Sequence, residues 1–137
     1  MRTKILILLA VACLSTVPSR ADVVSGADKL ICAAVQATGC FVDEDCIVAT
    51  PSYFNIPHFI EIDLKNRMLS TTHASNDYRT TPIEHLTRDE GLIALHGSEF
   101  GRVFSFVITE ETGTISAAVA ADGVTISVFG ACTPAEK

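Results

Sequence analysis

The sequence predicts a mainly β domain: a small antiparallel meander of about seven or eight short strands, curled into a closed or partly open barrel and linked by disulfides. Three observations lead there. Apolar and polar residues alternate with period two through the second half of the chain, and turn-forming residues recur about every ten positions. The cysteines outside the N-terminal segment are even in number. A β-sandwich satisfies the same pattern and is the alternative architecture.

The chain opens as an export signal. Arg2 and Lys4 precede an uncharged apolar run from Ile5 to Leu14, Pro18 ends it, and Ser19 and Ala21 set small residues before a cut at Ala21–Asp22. The run is too short for a stable membrane-spanning helix, so a retained anchor is disfavoured. Lipoprotein processing at Cys13 is a rival, weakened because Ala10 stands where such sites prefer Leu. Residues 1–21 are therefore expected to be removed, leaving one domain over 22–137 in the periplasm or outside the cell, with no membrane span.

Removal of Arg2, Lys4 and Arg20 leaves 7 Lys+Arg against 16 Asp+Glu, a net charge of −9. Nucleic acid and anionic membranes both require clustered cations, so neither is an expected partner. The remaining cysteines are Cys32, Cys40, Cys46 and Cys132. No Cys-x-x-Cys occurs, and four cysteines in an exported domain favour disulfides over metal or redox chemistry. Three pairings are possible. Cys40 and Cys46 flank a short acidic turn and pair easily, which leaves Cys32 to join Cys132 and tie the first strand to the last.

Leu30 to Phe41 reads as the first strand, although its alanines also permit a helix. Pro51 to Pro57 is a prolyl, aromatic connector expected to be extended and irregular. Phe59 to Leu64 alternates, with Ile60, Ile62 and Leu64 on one face. Lys65-Asn66 turns the chain into a return run from Arg67 to His73, and Ser75-Asn76-Asp77 turns it again. Tyr78 to Leu86 follows, with Pro82 placing it at an edge, or bulged or broken there. Arg88 to Gly91 leads into Leu92 to His96, and His96-Gly97-Ser98 is read as the next turn. Val103 to Thr109 puts Phe104, Phe106 and Ile108 on one side. Thr114 to Ala120 and the strand carrying Val124, Ile126 and Val128 flank Asp122-Gly123, a strong hairpin signal.

An early cysteine-bearing strand (Cys32), a proline-flanked Phe-Ile-x-Ile-Asp strand (Pro57 to Asp63), an Arg-Thr-Thr-x-Ile strand (Arg79 to Ile83) and a closing Val-Phe-Gly-Ala-Cys (Val128 to Cys132) occur in that order. In this the chain resembles a group of small exported bacterial proteins without an assigned function. The resemblance implies an exported β domain and carries over no catalytic residue.

The candidate chemistry is sparse. His58, His73, His85 and His96 lack the short spacing of metal ligands. With turns centred near residues 76 and 89, no two of them are direct cross-strand partners. Asp43-Glu44-Asp45 lacks the glycine and ligand spacing of a calcium loop. Ser98, in Gly97-Ser98-Glu99-Phe100-Gly101, stands one position too early for a nucleophile elbow. Glu61, Asp63 and Glu84 read as outward-facing strand charges. No cofactor or metal is indicated. Tyr53, Phe54 and Ile56 are the best contact patch for a partner, since aromatics on connectors serve as anchors; the opposing reading has Phe54 and Ile56 covering a barrel end as core. Phe129, out of phase with its strand, poses the same choice. The expectation is a non-enzymatic binding module for a protein, an envelope component or a small apolar ligand. The alternative is a minor hydrolase or metal protein whose histidines and carboxylates converge only on folding.

Overall fold

A computed structural model describes residues 23–135 except Asn76; the expected leader and Cys13 lie outside that range. The strands are β1 (Lys29–Phe41), β2 (Ile47–Ala49), β3 (Phe59–Asp63), β4 (Met68–Thr71), β5 (Thr80–Pro82), β6 (His85–Asp89), β7 (Leu92–Glu99), β8 (Arg102–Thr109), β9 (Thr114–Ala121) and β10 (Val124–Pro134). They form one antiparallel sheet in the order β5-β4-β3-β1-β10-β9-β8-β7-β6, with β2 paired to β1. The sheet curls into an open half-barrel, and the first and last long strands are neighbours as the sequence implied. No helix among the described residues is long and apolar enough to cross a membrane.

Among the described residues there are ten strands rather than seven or eight, because the short β2 is an addition and Tyr78–Leu86 is not one strand. Pro82 cannot donate a backbone hydrogen bond, and pairing breaks there. The Ile83 N–H donates to the Arg67 carbonyl at 2.9 Å, and the Glu84 N–H donates to the His96 carbonyl at 2.9 Å. Two adjacent residues thus bond to opposite ends of the sheet. One segment supplies both terminal strands, β5 and β6, and draws the ends of the sheet together.

β1 is a strand, and the helix alternative fails for a visible reason. Ala34 pairs with Gly130 and Gln36 with Phe129, so Val35 is an extra, outward residue in a bulge. Leu30 and Cys32 are buried before it, Ala37 and Gly39 after it. The inward face therefore changes from even to odd numbers, which blurs the period-two signal.

Two more turns are corrected. β7 runs through His96-Gly97-Ser98 to Glu99, and the chain reverses at Phe100-Gly101. Arg88 and Asp89 belong to β6, so the preceding reversal is Glu90-Gly91 alone. Both two-residue loops have positive φ at both positions (48° and 76°, 50° and 77°), as a type I′ hairpin requires. The prolyl connector is also more regular than expected: Pro51–Phe54 forms a 3-10 turn that ends at Asn55 in the left-handed region.

The core has two parts. The larger packs Val24, Leu30, Ile62, Leu69, Ile83, Ile93, Leu95, Phe104, Ile108 and Ile115 around the disulfide of Cys32 and Cys132. The smaller gathers Ala37, Phe54, Ile126 and Val128. Cys40 and Cys46 form the second disulfide, so both expected pairings are present. Arg88 holds the N-terminal segment against the sheet. Its guanidinium donates to the carbonyls of Ala27 (3.1 Å) and Val24 (3.3 Å) while pairing with Glu110.

Candidate ligand-binding site

Between the two core clusters the barrel interior is not filled. A cavity of about 130 Å³ lies among Ile60, Leu69, Phe104, Phe106, Ile115 and Val128. Strand alternation explains its apolar wall, because these positions all face inward. The small side chains Ala33, Ala34 and Ala117 leave the space that larger residues would occupy. A more open vestibule adjoins it, with Asn55, Ile56, Pro57 and Arg79 common to both and Ser52, His58, Thr72 and Asp77 on the outer side.

Polar residues gather at one part of the cavity wall: Thr71, Arg79, Thr81, Glu99 and Arg102. Register puts them there. Glu99 continues the inward face of Ile93 and Leu95, and Arg102 that of Phe104 and Ile108; the two are cross-strand partners next to the Phe100-Gly101 turn. Thr81 pairs with Leu69 and faces inward with it. The Thr81 hydroxyl donates to Glu99 Oε1 at 2.7 Å, and Arg79 Nη1 lies 3.6 Å from Glu99 Oε2. Arg79 Nε is buried and lacks an aligned acceptor, although Asp77 Oδ2 is 3.0 Å away. We read that contact as an ion pair rather than a hydrogen bond, since distance alone does not make one. The Thr71 hydroxyl donates to the Asp77 carbonyl and accepts from the Arg79 N–H, both at 2.8 Å, which fixes the backbone that carries Arg79.

The residues singled out from sequence divide. Tyr53 is 66% exposed and forms a T-shaped pair with the Phe54 ring, outside the cavity. Phe54 is buried over Gly39, so it covers one part of the barrel as core and is no contact residue in this state. Ile56 is half-buried and lines the cavity. Phe129 lies on the outer surface, half exposed. The register of the histidines is corrected: because the reversal is Glu90-Gly91 rather than centred near residue 89, His85 lies directly opposite His96. Both are exposed on the outer face, while His73 stacks on Tyr78 with ring centroids 4.7 Å apart and His58 borders the vestibule. Among the described residues, no three His, Cys, Asp or Glu side chains gather at metal-binding range. Ser98 donates to Glu84 at 2.5 Å on the open surface of β7, with no histidine bonded to it among the described residues. Asp63 closes the β3–β4 turn, and Glu61 is exposed.

Sequence reasoning missed Arg79, Thr81, Glu99 and Arg102 as a group. The signal available was a charged or hydroxyl side chain in phase with an apolar strand face: Arg79 with Thr81 and Ile83, Glu99 with Leu95, Arg102 with Phe104. No protein family matches this chain, and neither a curated protein nor a solved structure is significantly similar to it.

Proposed function

We propose that this chain is an exported, periplasmic binding protein that holds a small, largely apolar ligand inside its barrel and performs no chemistry on it. The cavity between the two core clusters carries this reading. A compact domain fills its interior to near-crystalline density, so an apolar void open to a polar vestibule departs from the rule. Binding sites combine the same two elements, apolar walls and a few polar groups on one side. Export is supported by the disulfides that use all four cysteines of the described residues. It also agrees with the resemblance to small exported β proteins. The smooth wall of aliphatic and phenyl groups favours a small molecule over a protein partner, and Tyr53 is left as an isolated exposed ring.

Titration with indole or hexan-1-ol, followed by methyl NMR, tests the proposal. Saturable shifts confined to Ile60, Leu69, Ile115 and Val128 are expected. Ala117→Leu, placed between Phe106 and Val128 in the sheet, should fill the chamber and abolish them without unfolding the protein. Shifts that never saturate, or that spread evenly over the surface, would rule the chamber out as a site.

A further inference from the structure

We infer that the ligand of this cavity is a monoanion, a carboxylate on a short alkyl or single-ring body, with its head group held between Arg79 and Arg102. The inference rests on the binding reading above and names the class of ligand. The argument is one of unmatched donors. A guanidinium carries five N–H donors and no acceptor. Two of them line this cavity, together with a single carboxylate, that of Glu99. One oxygen of that carboxylate accepts the Thr81 hydroxyl, and the other lies 3.6 Å from Arg79, too far for a good hydrogen bond. Arg79 Nε is buried with no aligned acceptor, its only near carboxylate oxygen among the described residues being the ion-paired Asp77 Oδ2 at 3.0 Å, and Arg102 forms no ion pair among the described residues. Buried donors are ordinarily satisfied, so Arg79 Nε calls for an acceptor supplied from outside, and the half-exposed Arg102 stands at the same wall with its charge unpaired.

Charge fixes the valence. Arg79, Arg102 and Glu99 line the chamber with one positive charge in excess, and Asp77, paired with Arg79 from the vestibule side, brings the sum over the whole site to zero. Arg102, the cation of this group that pairs with no carboxylate among the described residues, is left to balance one negative charge. A dianion would meet Glu99 and the exposed Asp77 at close range. A planar carboxylate also matches the fork of a guanidinium, which favours it over a spherical anion. Volume fixes the body. The chamber of about 130 Å³ is a little smaller than an apolar cavity of roughly 150 Å³ known to admit benzene. Arg79 borders both chamber and vestibule, so a tail in the chamber leaves its head group beside the guanidinium.

The test compares two probes of equal length, hexanoate and hexan-1-ol, by calorimetric or NMR titration at neutral pH. Hexanoate is expected to bind at least about tenfold tighter, the margin of a charge-assisted hydrogen bond. Arg102→Gln should bring the ratio of the two dissociation constants most of the way to one. Arg102 is half-exposed at a strand end, and a thermal melt checks that this variant folds. Arg79→Gln should act in the same direction, and addition of salt should shrink the wild-type margin. Equal affinity for the two probes, or an unchanged ratio in the folded Arg102→Gln variant, would overturn the anionic assignment while leaving an apolar site. Failure of both probes to bind would instead defeat the binding reading itself.

Discussion

A β-carbon added at Gly130 would sit 2.0 Å from the Ala33 carbonyl oxygen, beside the bulge that Val35 creates in β1. Nothing flexible can yield there, because the obstacle is backbone. At Gly39 the same addition would meet the Phe54 ring at 2.3 Å, and a side chain can swing away. Gly39→Ala should therefore cost about 1–3 kcal/mol, the usual range for overpacking, and Gly130→Ala distinctly more. In a Phe54→Ala background the Gly39→Ala penalty should vanish while the Gly130→Ala penalty remains. Urea denaturation of the four variants measures both effects, and a Gly39 penalty indifferent to Phe54 would contradict the close approach. Three residues of the closing Val-Phe-Gly-Ala-Cys are thus explained: Val128 faces the core, Gly130 admits the neighbouring strand, and Cys132 bonds to Cys32. At this scale the cysteines were legible because compartment and count constrain them. Arg79 was visible within its Arg-Thr-Thr-x-Ile run but not as part of a site, since its companions Glu99 and Arg102 lie about twenty residues away, and only strand register brings them to it.

Strand register decided most of what was gained or lost at the level of elements. The hairpin at Asp122-Gly123 was legible because its residues are those a tight turn demands. Phe100-Gly101 was not, because a phenylalanine with φ of 48° is a rare choice for the left-handed region. Placing the β6–β7 reversal at Glu90-Gly91 rather than near residue 89 shifted the register enough to turn separated histidines into a facing pair. The β3–β4 turn, read from Lys65-Asn66, carries a titratable clamp. Asp63 accepts from the Asn66 backbone N–H at 2.8 Å and from its side-chain amide at 2.9 Å, with Lys29 Nζ 3.3 Å away. Partial burial pushes the carboxyl pKa up, but the two Asn66 hydrogen bonds and the Lys29 charge outweigh it and hold the pKa below its ordinary value. A group depressed in the folded state stabilises fully above its unfolded pKa, about 3.9 for Asp, and loses that contribution as pH falls through the folded value. Asp63→Asn should accordingly lower the urea midpoint at neutral pH and converge on the wild-type midpoint as the pH falls below about 3.9, the unfolded value. A deficit that stays constant across that range would mean that the charge on Asp63 does not contribute.

For the whole molecule, the two disulfides constrain very different lengths of chain. Cys32 and Cys132 are separated by 100 positions and face each other across β1 and β10, where the first and last long strands meet. Cys40 and Cys46 are separated by 6 and close only the acidic turn after β1. In the chain-entropy account the long loop stabilises by about 4.7 kcal/mol and the short one by roughly 2.4 kcal/mol. Packing widens the difference, because Cys32 and Cys132 are almost fully buried among Leu30, Ile62 and Ile115, whereas Cys46 is exposed. Replacing Cys32 and Cys132 by Ala should therefore cost at least about 2 kcal/mol more than replacing Cys40 and Cys46. The long bond also bears on the cavity, since Cys32 is part of its wall and β1 and β10 carry Ala33, Ala34 and Val128 along it. A barrel released there has freedom to close on its void, because no other covalent bond among the described residues joins those strands. The Cys32→Ala/Cys132→Ala variant should then lose probe binding under conditions where it is still folded, while the Cys40→Ala/Cys46→Ala variant retains it. Equal losses of stability in the two variants, or intact probe binding in the first, would show that strand pairing alone holds the chamber open.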